Sequence, residues 1–136
     1  MLKTSVQYAS VAVLALLLSP AQAQKAQKAW PHMPTAEEVA MMPDYCQAKM
    51  GGNAERHQYW NHRMGPEKFI HLHHYCHGLK QMNRFKLTFE KQQRRYILQT
   101  AIGEFDYVLR NWPDGFNLKT EAQTRKSEAQ ALLRLL

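Results

Sequence analysis

Four of the seven histidines of this 136-residue chain and one of its two cysteines lie within nine residues, in the sequence HLHHYCHGL. On a helix, His73 and His77 are one turn apart, which places both imidazoles on the same face. Two imidazoles in this arrangement can coordinate a zinc or copper ion. The first candidate chemistry is therefore metal binding by His73 and His77.

Two ligands do not complete a metal site, because protein zinc sites use three or four. A third ligand would have to come from His57, His62 or His74, which lie on other turns of the chain. The chain contains neither an H-E-x-x-H motif nor a C-x-x-C-H haem-attachment motif. We expect structural histidines, bonded across helices or lining an interaction surface, and keep copper or zinc binding as the alternative.

Cys76 and His77 are neighbours, which raises the question of a cysteine nucleophile. Such a nucleophile must be reduced, exposed and of lowered pKa. The helical phase of Cys76 places it toward the core instead. We expect no enzyme activity and assign no catalytic residue.

The first residues have the features of a secretory signal peptide. Lys3 precedes the apolar run 11–18, and Ala21 and Ala23 form an A-x-A cleavage pattern. The run is too short to span a bilayer. We expect residues 1–23 to be removed, leaving a periplasmic or secreted protein without a transmembrane segment.

Export changes the meaning of the two cysteines, since thiols pair in oxidising compartments. Cys76 follows Cys46 by 30 residues. The sequence therefore predicts one disulfide between Cys46 and Cys76, which stabilises the fold by about 3–4 kcal/mol on the chain-entropy model.

The net charge of +7 favours anionic partners. Nucleic acid is not expected as a partner, because export separates the chain from it and the main basic run has no interleaved aromatic stacking platform. We interpret this run as a solvated helix face. Its members are Lys80, Arg84, Lys86, Lys91, Arg94 and Arg95.

The elements that must position the histidines begin after a proline-punctuated segment, 24–34, that is expected to be a flexible lead-in. Thr35 and Glu38 have capping-box spacing, so a single helical domain is expected over 35–136. Short helices should follow. One carries Cys46 and ends at the pair of glycines 51–52, and the next runs over 53–64.

Pro66 suits the first turn of the helix that carries the histidines. Its apolar side consists of Phe69, Leu72, Tyr75, Cys76, Leu79, Met82 and Asn83. The same rotation directs His73, His74 and His77 to the opposite side and leaves His71 near a boundary. These four histidines and Arg84 are the candidate partner-binding residues.

A long helix is predicted over 88–111 and ends at Pro113 and Gly115. A final helix is predicted from Thr120, with Gln123 in the capping-box position. No strand-like alternation is found along the chain. The sequence therefore predicts an all-α fold of stacked antiparallel helical hairpins.

Ala101, Phe105 and Pro113 have the A-x3-F…P spacing of the second helix of a tetratricopeptide repeat, and Gly78 matches the glycine of its first helix. Over residues 66–113 the chain thus resembles this family. In the first helix, three family positions differ. His74, His77 and Gln81 stand in the places of tryptophan, leucine and tyrosine.

The resemblance implies closely packed antiparallel helices that present a concave surface to a partner protein. We therefore expect an exported adaptor that binds another envelope protein. Since the chain has too few repeats to bury both faces, its C-terminal helix is expected to self-associate or dock. The residues concerned are Leu132, Leu133, Leu135 and Leu136. Binding is also expected to change as the histidines become charged below about pH 6.5.

Overall fold

The computed structural model describes residues 29–136, which form seven α-helices and, within that range, no strand. The helices are α1 (Ala36–Ala40), α2 (Asp44–Met50), α3 (Ala54–Met64), α4 (Pro66–Phe69), α5 (Leu72–Leu87), α6 (Lys91–Asn111) and α7 (Asn117–Arg134). The prediction of an all-α fold is confirmed. The predicted signal peptide, 1–23, lies outside the described residues, as does the predicted lead-in up to residue 28.

None of the helices between residues 29 and 136 is long and apolar enough to cross a bilayer.

Local caps set the boundaries of the first helices. The Thr35 hydroxyl accepts a hydrogen bond from the Glu38 backbone N–H at 3.2 Å, and the Glu38 carboxylate accepts one from the Thr35 N–H at 2.8 Å. The predicted capping box is thereby confirmed. Asn53 caps α3 in a similar way, since its Oδ1 accepts from the Arg56 N–H at 2.9 Å.

Three predicted boundaries are wrong by a few residues. The helix expected to start at Pro66 is divided at residues 70–71 into α4 and α5. The N-cap of α6 is Glu90, because its carboxylate accepts from the backbone N–H groups of two following glutamines. Helix α7 starts at Asn117, so Thr120 lies inside its first turn.

Helix α5 is the central element of the fold. It packs against α6 on one side, against α2 on a second and against residues 29–34 on a third. The contacts with α6 run in opposite chain directions: Phe85 lies beside Arg94, whereas Gly78 lies beside Phe105. Helices α5 and α6 are therefore antiparallel, and α6 packs in turn against α7.

An aromatic cluster fills the core between α5 and its neighbours. The ring of Tyr75 is fully buried, with its centroid 5.6 Å from that of Trp112, 6.0 Å from Phe105 and 6.3 Å from Tyr45. The Trp112 indole N–H donates to the Lys68 carbonyl at 2.9 Å. These rings hold α2, α5, α6 and the end of α4 together.

Cys46 of α2 and Cys76 of α5 are joined in a disulfide, with Cα atoms 5.6 Å apart and both side chains fully buried. The predicted pairing is confirmed, as is the core-facing position of Cys76. The bond ties the short N-terminal helices to the centre of the fold.

Gly78 allows the close approach of α5 and α6. A Cβ atom at this position would lie 2.5 Å from Cε1 of Phe105, whose ring is fully buried. We expect Gly78→Ala to lower the free energy of unfolding by about 1–3 kcal/mol through overpacking. Urea unfolding of the variant and the parent protein measures the difference.

Gly103 provides the matched control, since it is an exposed glycine inside α6 with no neighbouring atom within 4 Å of its Cβ position. Gly103→Ala is expected to raise the free energy of unfolding by about 0.5–1 kcal/mol, because alanine is the better helix former. Equal effects of the two substitutions would contradict the close packing at Gly78.

Candidate functional site

The N-terminal residues 29–34, called the strap below, lie along α5 without regular secondary structure. Arg84 of α5 donates to the carbonyl of Pro31 at 2.6 Å and to that of Met33 at 3.3 Å. Lys80, one turn earlier, donates to the carbonyl of His32 at 2.6 Å. Three successive carbonyls of the strap thus accept hydrogen bonds from two cations of α5. Residues 29–34 of the predicted flexible lead-in are instead bound to the fold.

Arg84 also forms a two-point ion pair with Glu38. Its Nε lies 2.5 Å from Glu38 Oε1, and its Nη2 lies 2.8 Å from Oε2. Arg84 is only 2 % exposed. Hydrogen bonding from Arg84 lowers the pKa of Glu38. Since Glu38 is also part of the capping box, a single carboxylate ties the start of α1 to α5.

Trp30 anchors the first part of the strap. Its indole N–H donates to the Thr88 hydroxyl at 2.9 Å, and that hydroxyl donates to the Arg84 carbonyl at 2.8 Å. The guanidinium carbon of Arg84 lies 5.2 Å from the centroid of the Trp30 ring, within the range of a cation–π contact. Thr88 therefore serves as a strap anchor and not as the N-cap of α6.

Lys80 is 2 % exposed, which is unusual for a lysine. It takes part in none of the ion pairs found among residues 29–136. Besides the His32 carbonyl, its Nζ contacts Nδ1 of His77 at 3.0 Å. Burial, together with the charge of Arg84, lowers the pKa of Lys80 to about 8. The hydrogen-bond partners of this buried ammonium group are therefore both uncharged.

His77 lies between α5 and the strap. Its ring stacks on that of His32, with centroids 6.1 Å apart. Burial is the main cause, and the charge of Lys80 the second, that lowers the pKa of His77 to about 4. The neutral imidazole is the form that accepts a hydrogen bond from Lys80, since a protonated ring has no lone pair to offer.

The other histidines of the cluster have different partners. His74 Nδ1 lies 2.7 Å from the Glu104 carboxylate, and its ring stacks on Tyr107. His71 Nδ1 lies 3.2 Å from the Tyr107 hydroxyl. His71 and His74 thus connect α5 to α6 and do not face the strap.

The two predicted metal ligands are not brought into a larger group of ligands. Nδ1 of His73 is bonded to the Ile70 carbonyl at 2.9 Å, and Nδ1 of His77 contacts Lys80. Within residues 29–136 there is no group of three or more histidine, cysteine, aspartate or glutamate side chains placed to hold an ion. His57, a candidate third ligand, packs its ring against Phe69 instead.

A groove of about 610 Å³ lies beside the strap. It is lined by strap residues and by side chains of α5 and α6, among them Gln81, Tyr96, Ile97 and Thr100, and by none of α7. Tyr96 is 67 % exposed. The groove lies directly beside Arg84, which forms part of its wall.

The prediction of a solvated basic face is only partly correct. Lys86, Lys91 and Arg95 are exposed, whereas Lys80 and Arg84 are buried beneath the strap. Arg84, a candidate partner-binding residue, is therefore covered while the strap is in place. The sequence indicates only that these residues lie together, since positions 73, 77, 80 and 84 share one face of the helix. It does not indicate that the strap covers this face.

Comparison with protein-family models, with curated proteins and with solved structures finds no match to this chain. The tetratricopeptide resemblance therefore rests on the spacing of Gly78, Ala101, Phe105 and Pro113.

The depressed pKa of His77 makes stability depend on pH. In the unfolded chain a histidine takes up its proton near pH 6.5, whereas His77 in the fold does so near pH 4. The unfolded state therefore binds more protons in this range, and His77 contributes a loss of stability as the pH falls from about 6.5 toward 4. His77→Asn places an amide oxygen near the position of Nδ1 and removes this titration. We expect its unfolding midpoint to fall less with acidification than that of the parent protein.

His62→Asn, which changes an exposed histidine of α3, is the control. Urea midpoints measured between about pH 7 and pH 4.5 compare the three proteins. If His62→Asn and His77→Asn flatten the profile equally, the acid sensitivity does not come from the strap contact.

Proposed function

We propose that this protein is a small exported helical adaptor that binds another envelope protein through the side of α5 that holds the strap and the adjacent groove. The observation that carries the proposal is the set of three successive strap carbonyls bonded to Lys80 and Arg84. Fixed donors along a helix suit the recognition of peptide backbone, because every residue of a peptide carries a carbonyl acceptor. The strap bends at residues 32–33 as it passes along α5.

The predicted signal peptide, 1–23, supports an envelope location, and the family resemblance over 66–113 supports a role in protein binding. We include both in the proposal. Of the four C-terminal leucines expected to be available for docking, Leu132, Leu133 and Leu136 pack partly against the core instead. Leu135, the C-cap of α7, is 82 % exposed and is the second docking point. Self-association through this end is part of the proposal as well.

The proposed binding surface differs from the cluster expected from the sequence. His71 and His74 contact α6, so they support the position of α5 and do not line the groove. His77, Lys80 and Arg84 lie next to the strap and thus next to an incoming partner. We therefore propose that His77, Lys80 and Arg84 contact the partner. His71 and His74 hold α5 in position against α6.

Site-directed photocrosslinking tests the adaptor function. A photoreactive phenylalanine analogue replaces Tyr96, which lines the groove, in the full-length protein produced in its own cell. The same analogue at Tyr59, an exposed tyrosine of α3, is the matched control. We expect the probe at position 96, and not the probe at position 59, to capture an envelope protein.

The captured protein is then purified and its affinity measured directly. Tyr96→Glu is expected to weaken binding by about tenfold, or 1.4 kcal/mol, whereas Tyr59→Glu leaves it unchanged. Equal capture at both positions, or no capture at position 96, would contradict the proposal.

A further inference from the structure

We infer that the strap is an internal ligand, and that a proline-containing segment of a partner protein binds this chain by displacing residues 29–34 from α5. The inference rests on the proposed function. It specifies the chemistry of the partner segment and the element that limits access to the site.

The strap is recognised mainly through its backbone. Arg84 and Lys80 bond to the carbonyls of residues 31–33, which are groups that any peptide carries. The two prolines of the strap, Pro31 and Pro34, restrict the backbone conformation and have no N–H group. Their carbonyls are therefore their only backbone hydrogen-bonding groups. The contacts therefore fit a class of peptide and not one particular sequence.

Besides the stacking of His32 on His77, the Trp30 side chain adds specificity at the start of the strap. The Trp30 indole donates to the Thr88 hydroxyl, and its ring faces the Arg84 guanidinium. A competing segment matches these contacts if it carries an aromatic N–H donor immediately before a proline. The expected partner segment thus has the pattern Trp-Pro-x-x-Pro, which is also the pattern of the strap.

The strap is held in a way that allows release. It contributes no residue to the disulfide or to any of the helices. Its Met33 side chain is 61 % exposed, so this residue adds little burial. Segments with few buried apolar contacts open locally at low cost, well before the whole domain unfolds.

The charge of Lys80 further favours release. Its ammonium group is buried against the uncharged His32 carbonyl and His77 ring. The carboxylates of Glu38 and Glu104 act on it only from beyond ion-pair distance. A buried charge without a direct ion-pair partner is poorly solvated, so removal of the strap returns it to water. The gain in hydration offsets part of the hydrogen bonding that is lost, and a competing peptide restores the same bonds.

The groove beside the strap gives an incoming peptide a place to start. It is open next to Arg84 and is lined on the α6 side by Tyr96 and Thr100. A partner segment can therefore make contact before the strap has left. Exchange then proceeds along α5 without exposing the whole site at once.

The test uses a fluorescently labelled synthetic peptide with the sequence of residues 29–34, capped at both ends, and the full-length protein. In Trp30→Ala the internal segment loses its anchor while the α5 face is unchanged. The apparent dissociation constant equals the intrinsic one divided by the open fraction, so we expect Trp30→Ala to bind the probe at least about fivefold more tightly than the parent protein.

Trp60→Ala is the matched control, because Trp60 also donates its indole N–H to a side-chain oxygen, that of Asp44 at 2.6 Å, but lies on α3. It is expected to bind the probe like the parent protein. A probe with both prolines changed to alanine is expected to bind Trp30→Ala at least about threefold more weakly, since it is less pre-organised.

Two further variants test whether the probe binds to the face of α5 that holds the strap. Lys80→Met in the Trp30→Ala background is expected to abolish probe binding, and circular dichroism shows whether that protein is folded. If it is not folded, Thr88→Val in the same background replaces it, and weaker probe binding is then expected because the acceptor for the indole is lost. Unchanged probe binding in the folded variant would overturn the inference.

Other results would also overturn it. Equal affinity of the parent protein and folded Trp30→Ala for the probe, or no binding by either, means that the strap does not compete with a ligand. A dimer of the parent protein that dissociates on the Trp30→Ala substitution means that straps are exchanged between two copies instead.

The peptide-binding test and the photocrosslinking test can fail independently of each other. Tighter probe binding by Trp30→Ala without photocapture at position 96 supports the internal ligand and contradicts the adaptor function. Photocapture at position 96 without an effect of Trp30→Ala supports the adaptor function and contradicts the internal ligand.

Discussion

Replacing Cys46 and Cys76 together with alanine is expected to lower the free energy of unfolding by about 3–4 kcal/mol, from the loss of a cross-link between residues 30 apart. The physical reason is the larger conformational freedom of the unfolded chain once this loop is open. The cost is large for a domain of this size, whose total stability is about 5–15 kcal/mol. Urea unfolding followed by far-ultraviolet circular dichroism measures it.

Reductant supplies the control for the cysteine prediction. The midpoint of the parent protein should fall toward that of the double variant when reductant is added, whereas the variant should not respond. A parent protein whose midpoint is the same with and without reductant would contradict the disulfide. Because both sulfur atoms are buried, reduction is expected to proceed only as the protein opens.

Arg84→Met is expected to lower the free energy of unfolding by about 3–5 kcal/mol, which is the usual cost of removing one partner of a buried ion pair. Glu38, whose carboxylate is partly buried, would lose its two-point partner. The carbonyls of Pro31 and Met33 would lose their donor as well. Arg84→Lys keeps the charge but not the planar fork, so an intermediate loss is expected.

Arg95→Met is the matched control for Arg84, because Arg95 is an exposed arginine of α6. Its effect should stay within about 0.5 kcal/mol. The double variant Arg84→Met with Glu38→Gln should lose less than the sum of the two single losses, since the second change removes the unpaired charge. Similar losses for Arg84→Met and Arg95→Met would show that the ion pair contributes little.

Local sequence signals are sufficient to predict the helices, as in the capping box that Thr35 and Glu38 form within one turn. The disulfide joins residues 30 apart, but it is predictable because the chain has two cysteines and thus a single pairing. The boundary at 70–71 was missed because no glycine or proline marks it. The start of α7 was missed because a suitable capping pattern lies three residues further on, at Thr120.

The site itself depends on contacts between residues far apart in sequence, which periodicity does not reveal. The sequence predicts a solvated face for Lys80 and Arg84 because charged side chains are usually exposed. They are buried only because the strap, some 50 positions earlier, lies over them, as in the pair of Arg84 with Met33, which are 51 residues apart. The bond of His74 to Glu104 is likewise long-range, so helical periodicity predicts the face of the histidines but not their partners.

The position of α5, enclosed by α6, α2 and the strap, has a consequence for hydrogen exchange. The amide hydrogens on its inner turns, around Tyr75 and Cys76, can reach deuterated solvent only when most of the molecule opens, and should be the slowest to exchange. Those of the strap should exchange in the first moments of labelling. Helix α5 is thus the last part of the molecule to open, and the strap is the first.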